Sequence, residues 1–296
     1  MKTLLFTGAN GFLGRNVVPL LKNNYKISTL DIANADIVAN IAKEIPVLNE
    51  KFDTIFHAAG KAHFVPTSEH ESQEFFDINY QGTVNLCCAL EKSELPHNFI
   101  FISTVAVYGC ENGYNISEEH PLNGTTVYAK SKIQAESFLT EWAKKHAVTL
   151  SILRPSLIAG ENPPGNLGAM INAIKSGKYL SIGEANVQKS VLMVQDLANL
   201  VPLLEDKSGI YNICSDEQPS VKELEQLIIK QLQKSTIWAM PMRMARFAAK
   251  IGDLLKISFF NSQKLEKITS SLTFSNRKAK EELNWKPLNV LENFII

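Results

Sequence analysis

An α/β fold with a doubly wound parallel sheet is predicted by two observations. Short apolar runs alternate with helical patterns through the first 155 residues, the rhythm of strand and crossover helix. The earliest run, Leu4-Leu5-Phe6, opens into a glycine-punctuated turn, Thr7-Gly8-Ala9-Asn10-Gly11-Phe12-Leu13-Gly14, ahead of a helix from Arg15. At 296 residues and 45% hydrophobic content the chain can bury a large core, as one big or two coupled domains.

Pro19 falls inside the first helix, where its missing N–H and ring clash predict a kink. The next strand, 27–30, ends at Asp31, and a helix over 41–48 is broken by Pro46. Strands over 54–56, 99–102 and 150–153 then alternate with helices over 75–90 and 126–146. After Pro155 the rhythm changes. A loop at 161–166 leads to a helix at 169–176 and short strands at 179–182 and 191–194, followed by helices at 196–204, 221–233 and 242–255 and a strand at 210–214. This predicts residues 1–155 as one domain, rejoined by about 186–207, with 156–296 mostly a smaller, interleaved substrate domain.

Thirty basic residues balance thirty acidic ones, so no global field draws the chain to nucleic acid or to an anionic membrane. No stretch has the length of a membrane span. Gly8, Asn10 and Gly11 interrupt the apolar start, against a signal peptide. Cys87, Cys88, Cys110 and Cys214 lack metal-ligand spacing and read as reduced thiols of a cytoplasmic protein. No His, Cys and carboxylate cluster suggests a metal. Within 242–255, Arg243, Arg246 and Lys250 recur on one face. A solvated basic face of a substrate-domain helix is expected there, with a membrane-surface helix as the alternative.

A strand entering a glycine turn and then a helix builds a phosphate cradle, because the backbone approaches closely and the helix N-terminus offers unpaired N–H groups. The glycines at 8, 11 and 14 depart from the general Gly-x-Gly-x-x-Gly spacing. Asp31 follows Gly11 by 20 residues, where a Rossmann unit sets an acid against the adenosine ribose. A carboxylate there favours NAD over NADP, and Ile32-Ala33-Asn34 supply no arginine for a 2′-phosphate. A plain turn acid is the alternative.

Tyr128 and Lys132, four apart on a predicted helix, project from one face. A phenol of ordinary pKa near 10 is a poor base at neutral pH, and a neighbouring ammonium favours its ionised form. Tyr128 would then exchange a proton with a substrate hydroxyl. The pair arises readily by chance in a chain with seven tyrosines. Its position, after Ser103-Thr104 at the end of a strand, gives it weight.

These motifs resemble the extended short-chain dehydrogenase/reductases, in particular their nucleotide-sugar epimerase and reductase branch, nearly end to end. The Gly8 to Gly14 turn matches the family's dinucleotide loop, with Gly8, Asn10, Gly11, Phe12 and Leu13 implied as cofactor contacts. Asp36-Ile37 resembles the adenine-contacting pair, and His57-Ala58-Ala59-Gly60 the segment beneath the cofactor. Asn79-Tyr80-Gln81-Gly82-Thr83, Ser103 to Gly109, Tyr128 to Lys132, Arg154-Pro155 and residues 274–287 complete the likeness. The resemblance implies Thr104, Tyr128 and Lys132 as catalytic residues, with Pro155 beside the nicotinamide. It also implies NAD as cofactor, a nucleotide-diphosphate sugar as substrate, and a homodimer built on the helices around 75–90 and 126–146. His63, Asn166 and Lys189 match substrate-side positions, Lys189 standing where many relatives have arginine, which exchanges a bidentate fork for a point charge. The activity implied is epimerisation at C4 through a 4-keto sugar, or its reductase half alone. Dehydratases of this branch carry Asp-Glu after the catalytic threonine, and Val105-Ala106 stand there instead.

Overall fold

The computed structural model describes residues 1–234, 237–254 and 261–296. Strand β1 (Lys2–Thr7) runs into α1 (Phe12–Leu21), β2 (Tyr25–Asp31), β3 (Ile37–Val38) and β4 (Thr54–His57). Helix α2 (Glu69–Phe76) continues through a π turn (Asp77–Gln81) into α3 (Gly82–Lys92), followed by β5 (Asn98–Ile102) and a 3-10 turn (Val105–Tyr108). Then come β6 (Gly113–Ile116), α4 (Val127–His146), β7 (Thr149–Pro155), β8 (Leu157–Ala159), α5 (Gly165–Lys175), β9 (Leu180–Ile182), β10 (Val191–Met193), α6 (Val194–Leu200) and β11 (Gly209–Ile213). The chain finishes with α7 (Val221–Gln231), β12 (Trp238–Met240), α8 (Met242–Leu254), α9 (Ser262–Thr269), β13 (Leu272–Phe274), α10 (Arg277–Leu283) and α11 (Val290–Asn293).

Seven of these strands form one parallel sheet in the order β11-β7-β5-β4-β1-β2-β3. The order reverses between β1 and β4, and open sheets of this kind bind ligands at the carboxyl ends beside that reversal. Strands β4 and β5 are buried along their whole length, as expected when helices cover both faces of a sheet. One core, with Leu4, Phe6, Phe56 and Ile100, lies under α1 and α6; the other, with Leu5, Ile55, Phe99 and Phe101, lies under α3 and α4. A smaller core joins Leu167, Ile171, Leu224 and Ile228 in the C-terminal part of the chain. The return to the sheet runs through β11, past residue 207.

Several helices are set by their ends. Thr126 accepts a hydrogen bond from the Ala129 N–H at the start of α4, and Ser220 with Glu223 forms a capping box on α7. The helix predicted over 41–48 does not form. Asn40 turns the chain by accepting from the Ala42 N–H, and Pro46 disfavours helical backbone at Ile45, so only turns remain. Helix α1 begins at Phe12 rather than Arg15 and carries Pro19 two residues before its end. The helix predicted over 75–90 is one stretch of a longer run from Glu69, interrupted by the π turn. Helix α5 starts at Gly165, earlier than expected, and the helix predicted over 196–204 is α6 followed by a 3-10 turn (Val201–Leu204). Position 255 of the last predicted helix lies outside the described residues.

Candidate active site

Gly8 adopts φ +77° at the end of β1, and a Cβ there would stand 2.8 Å from the Ala59 backbone. Only glycine lets the loop pass so close to the segment after β4. Gly14 is equally constrained, since its Cβ would come 2.1 Å from the Ala9 carbonyl oxygen, so the helix and the loop close on each other. No side chain caps α1, which leaves its first N–H groups free for an anion. Asp31 ties this loop to β2: one carboxylate oxygen accepts from Asn10 N (2.8 Å) and the other from Ile32 N (2.7 Å). The loop therefore has the build of a diphosphate cradle, and an NAD dinucleotide fits its free donors and close backbone.

Above the loop, a cavity of about 390 Å³ is walled by Gly8, Gly11, Phe12, Leu13, Arg15, Ala58, Gly60, Lys61, His63, Thr104, Tyr128, Lys132, Pro155 and Asn162, among others. The glycine turn and Thr104, Tyr128 and Lys132 thus face one space. Ser103 and Thr104, both candidates from the sequence, part company here. Both residues line the cavity, but Ser103 is buried and donates its hydroxyl to Glu136, whereas the Thr104 oxygen accepts from Ala106 N.

Lys132 is buried, donates to the Ile102 carbonyl (2.8 Å) and lies over the Phe101 ring. Burial lowers its ammonium to about 8, against the raising influence of Glu136. Burial works against the acidity that the Lys132 ammonium is expected to confer on Tyr128. Burial pushes the Tyr128 phenol up to about 12, and the opposing pull is its hydrogen bond with the Thr104 side chain. Desolvation acts on both members of the pair, and it favours the neutral form of each.

Beneath Tyr128 a polar chain fixes the helix positions. Asn79, fully buried in the π turn, donates to Ser131 Oγ (2.9 Å) and accepts from Lys61 N (2.7 Å). Ser131 in turn donates to the Tyr128 carbonyl. The chain runs on from Asn79 O through Thr83 and His57 to Thr7. Burial and the Lys132 charge lower His57 to about 3, so its imidazole is neutral. Deeper still, Arg154 holds Glu136 through two nitrogens (3.0 and 2.5 Å) and donates to Tyr108, whose hydroxyl reaches Asn212.

The remaining sequence candidates fall elsewhere. Asp36 is turned back on β2, accepting from Thr29 N and Oγ1, with Ile37 beginning β3 behind it. Asn166 is exposed in the first turn of α5 and off the cavity wall, which Asn162 occupies instead. Lys189 donates to the Lys267 and Ser270 carbonyls at the end of α9, so its charge serves that helix terminus rather than the cavity. His63 is on the rim at φ 59°, its ring filling the space over Gly165. Lys61, paired with Glu74 and lying over Phe64 and Phe75, belongs to the cavity although nothing in the sequence marked it. Glu136 was findable: it continues the four-residue spacing of Tyr128 and Lys132 on α4.

The chain is similar to proteins that modify sugars carried on diphosphates. It is 32% identical over 210 residues to the N-acetyl-alpha-D-glucosaminyl-diphospho-ditrans,octacis-undecaprenol 4-epimerase of Escherichia coli O157:H7, a match covering 67% of this chain and 61% of that relative. It is 29% identical to the GDP-6-deoxy-D-mannose reductase of Pseudomonas aeruginosa, over 82% of this chain and 84% of that one. A solved UDP-glucose 4-epimerase of Thermotoga maritima with UDP-glucose shares the fold at a TM-score of 0.76 and 20% identity, covering 98% of this chain and 95% of that one. The family model described as NAD dependent epimerase/dehydratase matches residues 4–214, a span holding the glycine turn, Thr104, Tyr128 and Lys132 alike, and the chain belongs to that family.

Proposed function

We propose that this protein is an NAD-dependent 4-epimerase of a nucleotide-diphosphate sugar. The observation that carries the reading is the convergence of Thr104, Tyr128, Lys132 and the glycine turn on one cavity. Thr104 and Tyr128 hold the 4-hydroxyl between them, and the Tyr128 oxygen takes its proton as C4 is oxidised to the ketone. NAD, when bound, supplies the acceptor for the hydride of that step and its donor for the reverse. Tyr128 must be a phenolate to take the 4-hydroxyl proton and is a phenol once it has; Lys132, fixed on Ile102 O, holds the positive charge that favours the phenolate. After the 4-keto sugar turns over in the cavity, Tyr128 returns the proton to the new alcohol. Val105-Ala106, in the 3-10 turn after Thr104, bear no group able to move a proton, which weighs against a dehydratase. The names of the relatives above share a sugar on a diphosphate, and the E. coli protein extends the carrier from a nucleotide to a polyprenyl chain.

The test denatures purified protein, identifies any released nicotinamide by mass, and offers UDP-, GDP- and dTDP-sugars and a polyprenyl-diphosphate sugar without added cofactor. Interconversion of C4 epimers is the expected result. Consumption of NADPH with a 4-keto sugar as the sole activity would assign the reductase half-reaction and overturn the epimerase.

A further inference from the structure

Helix α8 sorts its residues against their size. Ala245, Ala249 and Gly252 are buried, the two alanines packing with Leu265 of α9 and with Ile182 and Met240. The large apolar side chains point out: Met244 is 61% exposed, Phe247 69%, Ile251 40% and Leu254 82%. At about 100° per residue these four fall within an arc of about 80°, with Arg243 and Lys250 directly alongside and Arg246 just beyond. All three basic residues are exposed. Asp253, the one acid on the helix, has its carboxylate occupied by the Ser262 N–H and hydroxyl. Trp238, 82% exposed, stands on β12 just before the helix.

We propose that this face docks on an anionic lipid surface, with α8 lying in the plane of the headgroups. An apolar stripe bordered by arginine and lysine, with a tryptophan at its edge, matches the layering of a bilayer interface: acyl boundary below, anionic headgroups beside. The chain as a whole carries no net charge, so the positive potential is local to this face and its complement is a negative surface. A second copy of the chain is a poorer occupant, because its α8 offers Arg243, Arg246 and Lys250 no anionic complement: Asp253, the one acid on the helix, is already bonded to Ser262. Met242, in the first turn of α8, lines a second cavity, of about 860 Å³, with Ile182, Met240 and Ile268, on the packed side of the helix. The inference stands on α8 alone and is independent of which reaction the cleft performs.

The full-length protein is mixed with phosphatidylcholine vesicles, with and without phosphatidylglycerol, and the bound fraction is read by co-sedimentation. Binding to the anionic vesicles that weakens with salt is expected. The double substitution Phe247→Asp with Ile251→Asp lowers partitioning at least about tenfold. Lys250→Gln lowers it about fivefold. Both variants keep the far-ultraviolet spectrum, melting temperature and turnover of water-soluble substrate. No binding to either vesicle overturns the proposal, as does binding that the substitutions leave unchanged. Self-association without vesicles that the double substitution abolishes overturns it too, assigning the face to a second copy.

Discussion

The floor of the cleft under Tyr128 and the outer face of α8 both break the ordinary sorting of side chains, in opposite directions. Under Tyr128 the protein buries a lysine, an arginine, a glutamate and an asparagine; along α8 it leaves four large apolar groups in water. Polar burial is costly unless every group is partnered, and here the partners are present: Arg154 with Glu136, Lys132 with Ile102 O, Asn79 with Ser131 and Lys61. Those bonds hold Tyr128 and Thr104 in a single geometry before any ligand arrives. The α8 face has no such closure among the described residues. Polar groups inside fix a shape for chemistry, whereas apolar groups outside mark a surface whose complement is another phase or molecule.

The largest effect should come from removing the phenol. Tyr128→Phe is expected to lower kcat by roughly a thousandfold, the scale of general acid–base catalysis, while released-nicotinamide analysis still finds the cofactor. Unchanged turnover would remove Tyr128 from the mechanism. Next comes the floor itself: Arg154→Leu leaves the Glu136 carboxylate buried without its partner and is expected to cost about 3–5 kcal/mol in urea unfolding. Adding Glu136→Leu should recover part of that loss, and a double variant weaker than the single one would show that the pair is not the cause.

Lys132 separates chemistry from stability. Its folded value near 8 lies below the ordinary 10.5, so the folded state disfavours the ammonium. The contribution to stability is complete above pH 10.5 and is lost as pH falls towards 8; at neutral pH the buried charge costs about 3 kcal/mol. Lys132→Met removes that cost together with the charged bond to Ile102 O, worth about 1.5–3 kcal/mol, for a net gain of no more than about 1.5 kcal/mol. The same variant loses the positive charge behind Tyr128. The acid limb of its kcat profile should therefore move to higher pH. A lower melting temperature with an unmoved pH profile would contradict both halves of the argument.

The parallel sheet was legible because its strands are short, mostly apolar at their centres and separated by helical spacing, a pattern that burial on both faces favours. Gly8 and the Tyr128–Lys132 pair were legible for a related reason: local backbone and helix geometry dictate both. Contacts between distant segments were not. Only the fold shows that the Ser103 hydroxyl is committed to Glu136, that Asp36 turns back to Thr29, and that Lys189 ends on the carbonyls of α9. The π turn that seats Asn79 has no sequence signature of its own, and the raised phenol of Tyr128 comes from burial, which spacing does not reveal. On α8 the basic residues were visible in the sequence. That the apolar stripe faces outward depends on α9 packing against the small residues.

The smallest effects test that last point. Ala249 is fully buried, and Ala249→Leu forces three extra carbons against α9, a change expected to cost about 1–3 kcal/mol. Phe247, on the same helix, should behave in the opposite way: Phe247→Ser removes a far larger group yet should shift stability by less than about 0.5 kcal/mol, because its ring has water on most of its surface. Thermal melts of the two variants in the absence of lipid decide the matter. If Phe247→Ser proved the more damaging, the ring would already be packed within the folded chain, and α8 would have no apolar face to offer a membrane.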